Sequence, residues 1–251
     1  MSASATPSPS SVPAVPALTQ VQRLAFTFTA PSRTMADISR SASWWLPWIV
    51  ISIVSLLLAF AIGSKVTWKS VVENLIDQNP KMADTLAKMP AQQRALTTTV
   101  YTIAYKGAMY ASPALNLLYY VIIAGILLGL FNFGFGAELK FGRAFAITIY
   151  SSLVSGIKAL LVIILLFAGM DPASFNLRNP IASNLASFLP PDANRALYAV
   201  ASTFDVFVLW MLFLMAVGIS RNSKVKTRTA FIAIFLLYFV VIGGLGALGA
   251  A

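Results

Sequence analysis

Cysteine and histidine are both absent from this 251-residue sequence. Their absence excludes disulfides, thiolate nucleophiles, Ser-His-Asp triads and nearly every zinc, haem or iron–sulfur ligand set. Acidic residues are also few, with eight Asp and Glu in total, which leaves little for a paired-carboxylate mechanism. The motifs G-x-x-x-x-G-K-[ST], H-E-x-x-H and G-x-S-x-G do not occur. We therefore expect a protein that is not an enzyme and that holds no metal and no cofactor.

Charged residues of all kinds make up only 10% of the chain, while hydrophobic residues make up 58%. Soluble domains average roughly 45–50% apolar and about 25% charged residues, so this composition indicates a membrane protein. A helix needs about 20 mainly apolar residues to cross a bilayer. Five stretches meet that requirement, at residues 44–63, 110–133, 142–169, 197–219 and 229–248. The predicted fold class is all-α, a polytopic helical membrane bundle of five transmembrane helices.

The segments outside these spans have different patterns. Residues 1–22 are rich in Pro, Ser and Ala, which predicts a disordered cytoplasmic tail before a transmembrane domain at residues 23–251. After the first span, VTWKSVVENLI brings Trp68, Val71 and Leu75 near one helical face, with charged residues on the other. We expect short amphipathic helices in this first outer loop and also in the amino-terminal region.

The distribution of Lys and Arg predicts the orientation in the membrane, because cytoplasmic loops are enriched in these residues. Nine of the 18 lie in the amino-terminal segment and in the second and fourth connections, as Arg23, Arg33, Arg40, Lys140, Arg143, Arg221, Lys224, Lys226 and Arg228. Across five spans these segments share one side, so we expect a cytoplasmic amino terminus and an outer carboxyl terminus. Six other Lys and Arg residues lie in the long first connection, but long loops cross the membrane largely regardless of charge. The net charge of +10 lies mainly in such loops, which favours contact with anionic lipid over nucleic-acid binding.

Two opposite charges lie inside apolar stretches, Lys158 in the third and Asp205 in the fourth. Charges at bilayer depth are rare and are usually paired or functional. Lys158 lies about 16 Å and Asp205 about 10 Å from the outer ends of their predicted spans, a difference that a lysine side chain can bridge. Ser151 and Ser155 share the helix face of Lys158, and Asn116 enters from the same outer side.

These five residues form a predicted intramembrane polar cluster, for which three interpretations stay open. The pair could be an ion pair that fixes helix register, because charges within a membrane pair whether or not a ligand binds. It could instead form part of a transport or ligand site. In the third interpretation, the lysine simply extends to a membrane surface.

The sequence RNSKVKTR at residues 221–228 is a candidate site for lipid or protein partners. Its four basic residues directly follow the fourth span, as Arg221, Lys224, Lys226 and Arg228. Each basic residue near an anionic membrane surface contributes about 1 kcal/mol. The same residues also form an ordinary orientation signal, which alone would explain their presence. In the second span, Gly125 and Gly129 form a G-x-x-x-G pair that favours internal helix packing or a homo-oligomer contact.

Five segments carry a resemblance to a known family. They are DISRSASWWLPW at residues 37–48, WKSVVENLIDQNPKMAD at 68–84, GAELKFGRAFAITIYSSLVSGIKALL at 136–161, GMDPASFNLRNPIASN at 169–184 and FDVFVLWMLFLMAVGISRNSKVKT at 204–227. Their order resembles the Yip1-domain family, in particular its bacterial branch, over about residues 23–245. The resemblance implies a polytopic helical membrane protein with a cytoplasmic amino terminus. Eukaryotic relatives act in vesicle trafficking and associate with small GTPases, but this chain shows no eukaryotic sorting signal, so we expect a bacterial cytoplasmic membrane protein.

Two functional hypotheses follow from these observations. The first is a non-enzymatic membrane-organising scaffold that binds anionic lipid head groups or partner proteins through the basic loop. The second is a small permease or lipid-moving protein that uses Lys158, Asp205 and Asn116. No inverted repeat and no paired Gly/Pro-broken helices of the kind common in transporters are evident in the sequence, which favours the first hypothesis.

Overall fold

The computed structural model describes residues 16–177, 179–190, 193–244 and 246. Regular structure in these residues is helical apart from a single β-bridge between Asn184 and Asp205, as the all-α prediction requires. The predicted tail at residues 1–22 lies largely outside the described part, and the first helix begins at Gln20. The α-helices are α1 Gln20–Thr29, α2 Pro31–Asp37, α3 Trp45–Lys65, α4 Trp68–Asp77, α5 Pro80–Ala87, α6 Ala91–Tyr110, α7 Ser112–Leu128, α8 Phe141–Phe167, α9 Arg195–Ser202, α10 Val206–Asn222 and α11 Thr227–Tyr238.

Three helices in the described part of the chain are long and apolar enough to cross a membrane. They are α3, α8, and α7 together with the π-helical turn Gly129–Phe133 that continues it. Two further apolar helices are shorter, namely α10 and α11 with its own π-helical turn Phe239–Gly243. The protein is therefore an integral membrane protein with three helices of full membrane length, and the first, second and third predicted spans coincide with them.

The prediction of an uninterrupted helix over residues 197–219 is wrong. The chain forms α9 and α10 there, with a break at Thr203–Asp205 between them. Asp205 causes the break because its carboxylate accepts hydrogen bonds from the backbone N–H groups of Phe207 and Val208, at 2.9 and 3.2 Å. An Asp in this arrangement is an N-cap, which begins a helix rather than continuing one.

Helix α8 is the centre of the bundle and packs against α3, α7 and α10. Every residue from Ala144 to Val154 is buried, so this part of the helix has no face left for solvent or lipid. The contact with α10 is close because Gly218 lies against Ile147. A Cβ atom added at Gly218 would clash with the side chain of Ile147. The absence of a side chain at this position therefore sets the spacing between the two helices.

Helices α1 and α2 form a hairpin, here called the amino-terminal hairpin, that packs on α10 and α8. Thr19 and Gln22 form a capping box at the start of α1, and Pro31 occupies the first turn of α2. Met35 and Ile38 are fully buried in the main apolar core of the bundle. The amphipathic amino-terminal region is thus an integral part of the fold. The end of the bundle that carries it is called the hairpin end below.

The opposite end of the bundle carries a second apolar cluster. The first predicted outer loop forms α4, α5 and α6, and the buried residues of α4 include Trp68, Val71 and Leu75. They pack with Val162 and Leu166 near the end of α8. The predicted amphipathic helix is therefore α4, and its apolar face is covered by protein.

Candidate functional site

The structure brings Lys158 and Asp205 together. The Lys158 Nζ atom donates a hydrogen bond to the Asp205 Oδ2 atom at 2.7 Å. The Ser183 hydroxyl contacts the same carboxylate oxygen, while the Oδ1 atom accepts the two backbone N–H groups that begin α10. The Asp205 side chain is only 4% exposed, and the Lys158 side chain is 24% exposed. Both carboxylate oxygens are thus fully engaged, and the lysine keeps partial access to its surroundings.

The pair lies well inside the bundle. Helices α8 and α10 are antiparallel, because Ser152 lies beside Met211 while Lys158 lies beside Asp205. Nine residues of α8 follow Lys158 before the helix ends at Phe167, a distance of about 14 Å. Helix α10 therefore begins about 14 Å inside the end of α8 at Phe167. The hydropathy of the sequence gives no sign of this start, because it stays high on both sides of Asp205.

An irregular segment between α8 and α10 reaches this interior position. The Val206 backbone N–H donates to the Ser183 carbonyl oxygen at 2.9 Å, next to the β-bridge between Asn184 and Asp205. Non-helical backbone is tolerated at membrane depth only where protein or water satisfies its polar groups. Here the Asn184 side chain donates to the Asn179 side chain at 2.8 Å, which in turn donates to Ser187 at 3.3 Å. Side chains of this loop therefore satisfy one another's hydrogen-bonding groups.

The other predicted members of the cluster form no hydrogen bond with the charged pair in the described part of the chain. Asn116 and Ser155 line a cavity of about 170 Å³ between α3, α7, α8 and α10, together with Tyr120 and Ser152. Ser151 is fully buried, and its hydroxyl has no hydrogen-bond partner. Among the described residues no hydrogen bond joins Asn116 to the charged pair, and the side chain that contacts Asp205 besides Lys158 is Ser183. No sequence pattern pointed to Ser183, since it lies 22 positions from Asp205 in a loop.

A second ion pair, at the hairpin end, was not predicted. The Arg23 Nε and Nη2 atoms both lie 2.7 Å from the Asp37 Oδ2 atom, and the Nη1 atom donates to the Ser41 carbonyl oxygen at 2.9 Å. The two side chains are 3% and 5% exposed. Arg23 is counted in the sequence analysis among the residues that set the orientation in the membrane. In the structure its side chain is buried and forms an ion pair that joins α1 to α2 within the amino-terminal hairpin. The Ala30-Pro31 sequence was the available signal for this pairing, because the chain turns there and α2 folds back along α1.

A basic pocket of about 320 Å³ lies beside the Arg23–Asp37 ion pair, between the amino-terminal hairpin and the end of α10. Its charged lining residues are Arg33, Arg40, Arg221 and Asp37, and Pro16, Leu18, Ser32 and Ala36 complete it. Of the four predicted lipid- or partner-binding residues, Arg221 alone lines this pocket. Lys224 and Lys226 are exposed on the connection between α10 and α11, and Arg228 is exposed in the first turn of α11, all three outside the pocket.

Comparison with known families agrees with the resemblance seen in the sequence. The model of the Yip1 domain matches residues 26–248, which is nearly the whole chain. The chain belongs to the Yip1 domain family. No curated protein and no solved structure matches it.

The Yip1 domain match covers both partners of the interior pair but not both partners of the hairpin pair. Lys158 and Asp205 lie well within residues 26–248, whereas Arg23 precedes them. Asp37 and all three arginines of the basic pocket fall inside the match. The match therefore includes every charged lining residue of the pocket, whereas two apolar lining residues, Pro16 and Leu18, and the Arg23 partner of Asp37 precede it.

The two regions of this Yip1 domain protein differ in what their chemistry allows. The Asp205 carboxylate has a full set of donors, an arrangement that stabilises the folded chain. The arginines of the basic pocket are exposed and point to recognition of an anion, because guanidinium groups bind phosphate and carboxylate groups through paired N–H donors. Among the described residues no group of three or more acidic side chains is placed to hold a metal ion.

Proposed function

We propose that this protein is a non-enzymatic membrane-organising scaffold that holds anionic lipid head groups at its hairpin end. The observation that carries the proposal is the concentration of exposed basic side chains there, on a surface that is firmly attached to the bundle. The residues of the basic loop 221–228 are Arg221, Lys224, Lys226 and Arg228, and all four are exposed. Each contributes about 1 kcal/mol at an anionic surface.

The attachment of this surface supports the scaffold role. The Asn222 side chain donates to the Met35 carbonyl oxygen at 2.8 Å, which joins the end of α10 to the amino-terminal hairpin. Arg143 at the start of α8 donates to the Ser39 carbonyl oxygen at 3.0 Å. The helix ends that carry the basic residues are thus held together, and a lipid or a protein partner meets their charges on one joined surface.

We further propose five membrane crossings, with the hairpin end in the cytoplasm of a bacterial cell. Helix α10 is about 26 Å long, slightly less than the roughly 30 Å hydrocarbon core. Helix α9, which precedes the break at Thr203–Asp205, would complete this fourth crossing, and α11 with its π-helical turn would form the fifth. The positive-inside rule supports the orientation, because Lys140, Arg143 and the basic loop all follow or precede helix ends at the hairpin end.

The proposal is tested by removing the charge of the basic loop. In a quadruple variant Arg221→Gln, Lys224→Gln, Lys226→Gln and Arg228→Gln, we expect anionic lipid to co-purify less than with the parent protein. The matched control removes four charges from the opposite end, at Lys69, Lys81, Lys88 and Lys106, all of which are exposed. Phosphatidylglycerol retained from mixed nanodiscs is quantified by mass spectrometry, with protease accessibility as a check on orientation.

Equal retention in the two quadruple variants, with orientation intact, would contradict the proposal. Loss of a co-purifying protein without any loss of lipid would assign the basic loop to a protein partner instead.

A permease or lipid-moving function is the second candidate. The observation that favours it is the discontinuous α9–α10 segment, since broken helices form ion and substrate sites in many transporters. Against it stands the saturated carboxylate of Asp205. Flux measured in proteoliposomes decides the matter, because a transport role for the pair requires that Lys158→Met and Asp205→Asn each abolish flux in folded protein.

A further inference from the structure

We propose that the basic pocket at the hairpin end is a binding site for the phosphate of a single anionic lipid head group, held by Arg33, Arg40 and Arg221. The inference rests on the proposed function and sharpens it. A diffuse basic loop attracts anionic lipid in general, whereas this pocket selects one phosphate-bearing head group and places it at a fixed position.

The first argument is the charge that the pocket presents. Three guanidinium groups face it together with one carboxylate, that of Asp37. The negative charge of Asp37 is already matched by the buried guanidinium of Arg23, whose nearest nitrogen atoms lie 2.7 Å away. The Arg40 Nη1 atom lies 3.9 Å from the other Asp37 oxygen atom. With three arginines and one aspartate among its described lining residues, the pocket carries an excess of positive charge on guanidinium groups, which suit a phosphate.

The second argument is that the pocket is formed before any ligand arrives. Arg33 is held over the ring of Phe26, with its Cζ atom 4.4 Å from the ring centroid. The Thr34 hydroxyl donates to the Arg23 carbonyl oxygen at 3.0 Å and so joins α2 to α1. The hairpin is also joined to α10, which carries Arg221. Binding therefore requires little ordering of backbone, and a preorganised site loses less affinity to entropy.

The third argument concerns depth and shape. Arg221 lies in the last turn of α10, two residues after the fully buried apolar Ile219. In the proposed fourth crossing, Arg221 therefore lies where α10 would leave the hydrocarbon region and meet the head groups. The pocket of about 320 Å³ also has apolar wall residues, Pro16, Leu18 and Ala36, beside its arginines. Such a mixed lining suits the phosphate of a lipid at the arginines and the adjoining ends of its acyl chains at the apolar wall.

The experiment compares two triple variants of the full-length protein in nanodiscs of mixed phosphatidylglycerol and phosphatidylcholine. The pocket variant is Arg33→Gln, Arg40→Gln and Arg221→Gln. The loop variant is Lys224→Gln, Lys226→Gln and Arg228→Gln, which removes the same charge from the same end but outside the pocket. We expect the pocket variant to retain about tenfold less phosphatidylglycerol than the parent, and the loop variant to fall by about threefold or less.

The two proposals fail in different ways. If both triple variants lose phosphatidylglycerol equally, the pocket assignment is overturned while the basic scaffold stands. If neither loses any, both proposals are overturned. A third variant, with lysine at the three pocket positions, preserves charge and guards against misfolding. We expect it to retain more phosphatidylglycerol than the glutamine variant, and failure of this partial rescue in folded protein overturns the assignment.

Free phosphate is the other source of the same chemistry. Inorganic phosphate and glycerol phosphate are therefore added in detergent at millimolar concentration, as competitors for phosphatidylglycerol already bound. We expect weak competition, which the pocket variant lacks, because the soluble anions do not contact the apolar wall. Competition by inorganic phosphate as strong as that by short-chain phosphatidylglycerol would overturn the lipid assignment.

Discussion

The protein contains two ion pairs whose surroundings differ. Arg23 and Asp37 are 3% and 5% exposed, and the guanidinium group gives two contacts to one carboxylate oxygen and a third to a backbone carbonyl. Lys158 and Asp205 also meet at 2.7 Å, but the lysine is 24% exposed and contributes a single contact. In the first pair both ions depend on each other. In the second, the carboxylate depends mainly on backbone and hydroxyl donors, and the lysine is one partner among several.

This difference assigns different structural roles to the two pairs. The Arg23–Asp37 pair closes the amino-terminal hairpin and so fixes the wall of the basic pocket. The Lys158–Asp205 contact joins α8 to the start of α10 and to the irregular segment through Ser183. Removing one partner of a buried pair leaves an uncompensated charge and costs about 3–5 kcal/mol, whereas a partly exposed partner can be replaced by solvent. The predictions below separate these cases.

The largest effect is expected at the hairpin. Arg23→Gln leaves the Asp37 carboxylate buried without its main partner, so the free energy of unfolding should fall by about 3–5 kcal/mol. Denaturant titration in detergent, followed by tryptophan fluorescence, measures the change. Arg33→Gln is the matched control on the same hairpin, and because Arg33 is exposed its effect should stay below about 1 kcal/mol. The double variant Arg23→Met with Asp37→Leu should recover most of the loss, and equal effects of the two single variants would contradict the role of the pair.

The next effect is expected at Asp205. Asp205→Ala removes an N-cap and the anchor of Ser183 and leaves Lys158 unpaired, for a loss of about 2–4 kcal/mol. Asp205→Asn keeps the cap and should lose about 1 kcal/mol less. The parent protein has no cysteine, so the substitution Ala186→Cys introduces a single thiol at a buried position of the loop that contains Ser183. Reaction of this thiol with a maleimide measures whether the loop has been released from Asp205. A Cys at the exposed Ala182 is the control, and unchanged protection of position 186 in the Ala variant would contradict the anchoring role.

The close approach of α8 and α10 connects the two regions. Gly218→Ala would bring a methyl group against Ile147, and overpacking of this kind lowers the free energy of unfolding by about 1–3 kcal/mol. Gly156→Ala on α8 is the control, since no atom lies within 4 Å of an added Cβ there. The same titration measures both variants. A tolerated alanine at position 218 would indicate that the two helices can separate without loss.

The smallest effect is expected at Lys158. Because the Asp205 carboxylate keeps Ser183 and two backbone donors, Lys158→Met should lower the free energy of unfolding by only about 1–2 kcal/mol. In the same titration, the loss of free energy of unfolding should therefore be much smaller for Lys158→Met than for Arg23→Gln. The reverse order would mean that the partly exposed pair is the stronger one, and the comparison would fail.

Sequence analysis succeeded where a single chemical property determined the structure. Hydropathy located α3 and α8 to within a few residues, and the pattern around Trp68 predicted α4. It failed at residues 197–219 because one carboxylate among many apolar residues barely changes the local average. Its capping contacts to Phe207 and Val208 nevertheless end one helix and begin another.

The pairing of Arg23 with Asp37 and of Ser183 with Asp205 depends on how distant segments pack. No local pattern contains that information. Two opposite charges at bilayer depth did point to a partnership between Lys158 and Asp205, because an unpaired charge is costly there. The third member of that cluster could not be identified in the same way, since Asn116 and Ser183 are both plausible donors by composition alone.

The central claim is that lipid recognition belongs to the hairpin end, while the interior pair serves the fold. Its most direct test is phosphatidylglycerol retention by the neutral variant Lys158→Gln with Asp205→Asn, which keeps hydrogen-bonding groups and the helix cap. The account predicts retention within about twofold of the parent protein, because Asp205 and Arg221 lie at opposite ends of α10, about 24 Å apart, and share no partner among the described residues. A folded variant that loses as much phosphatidylglycerol as the pocket variant would contradict the account.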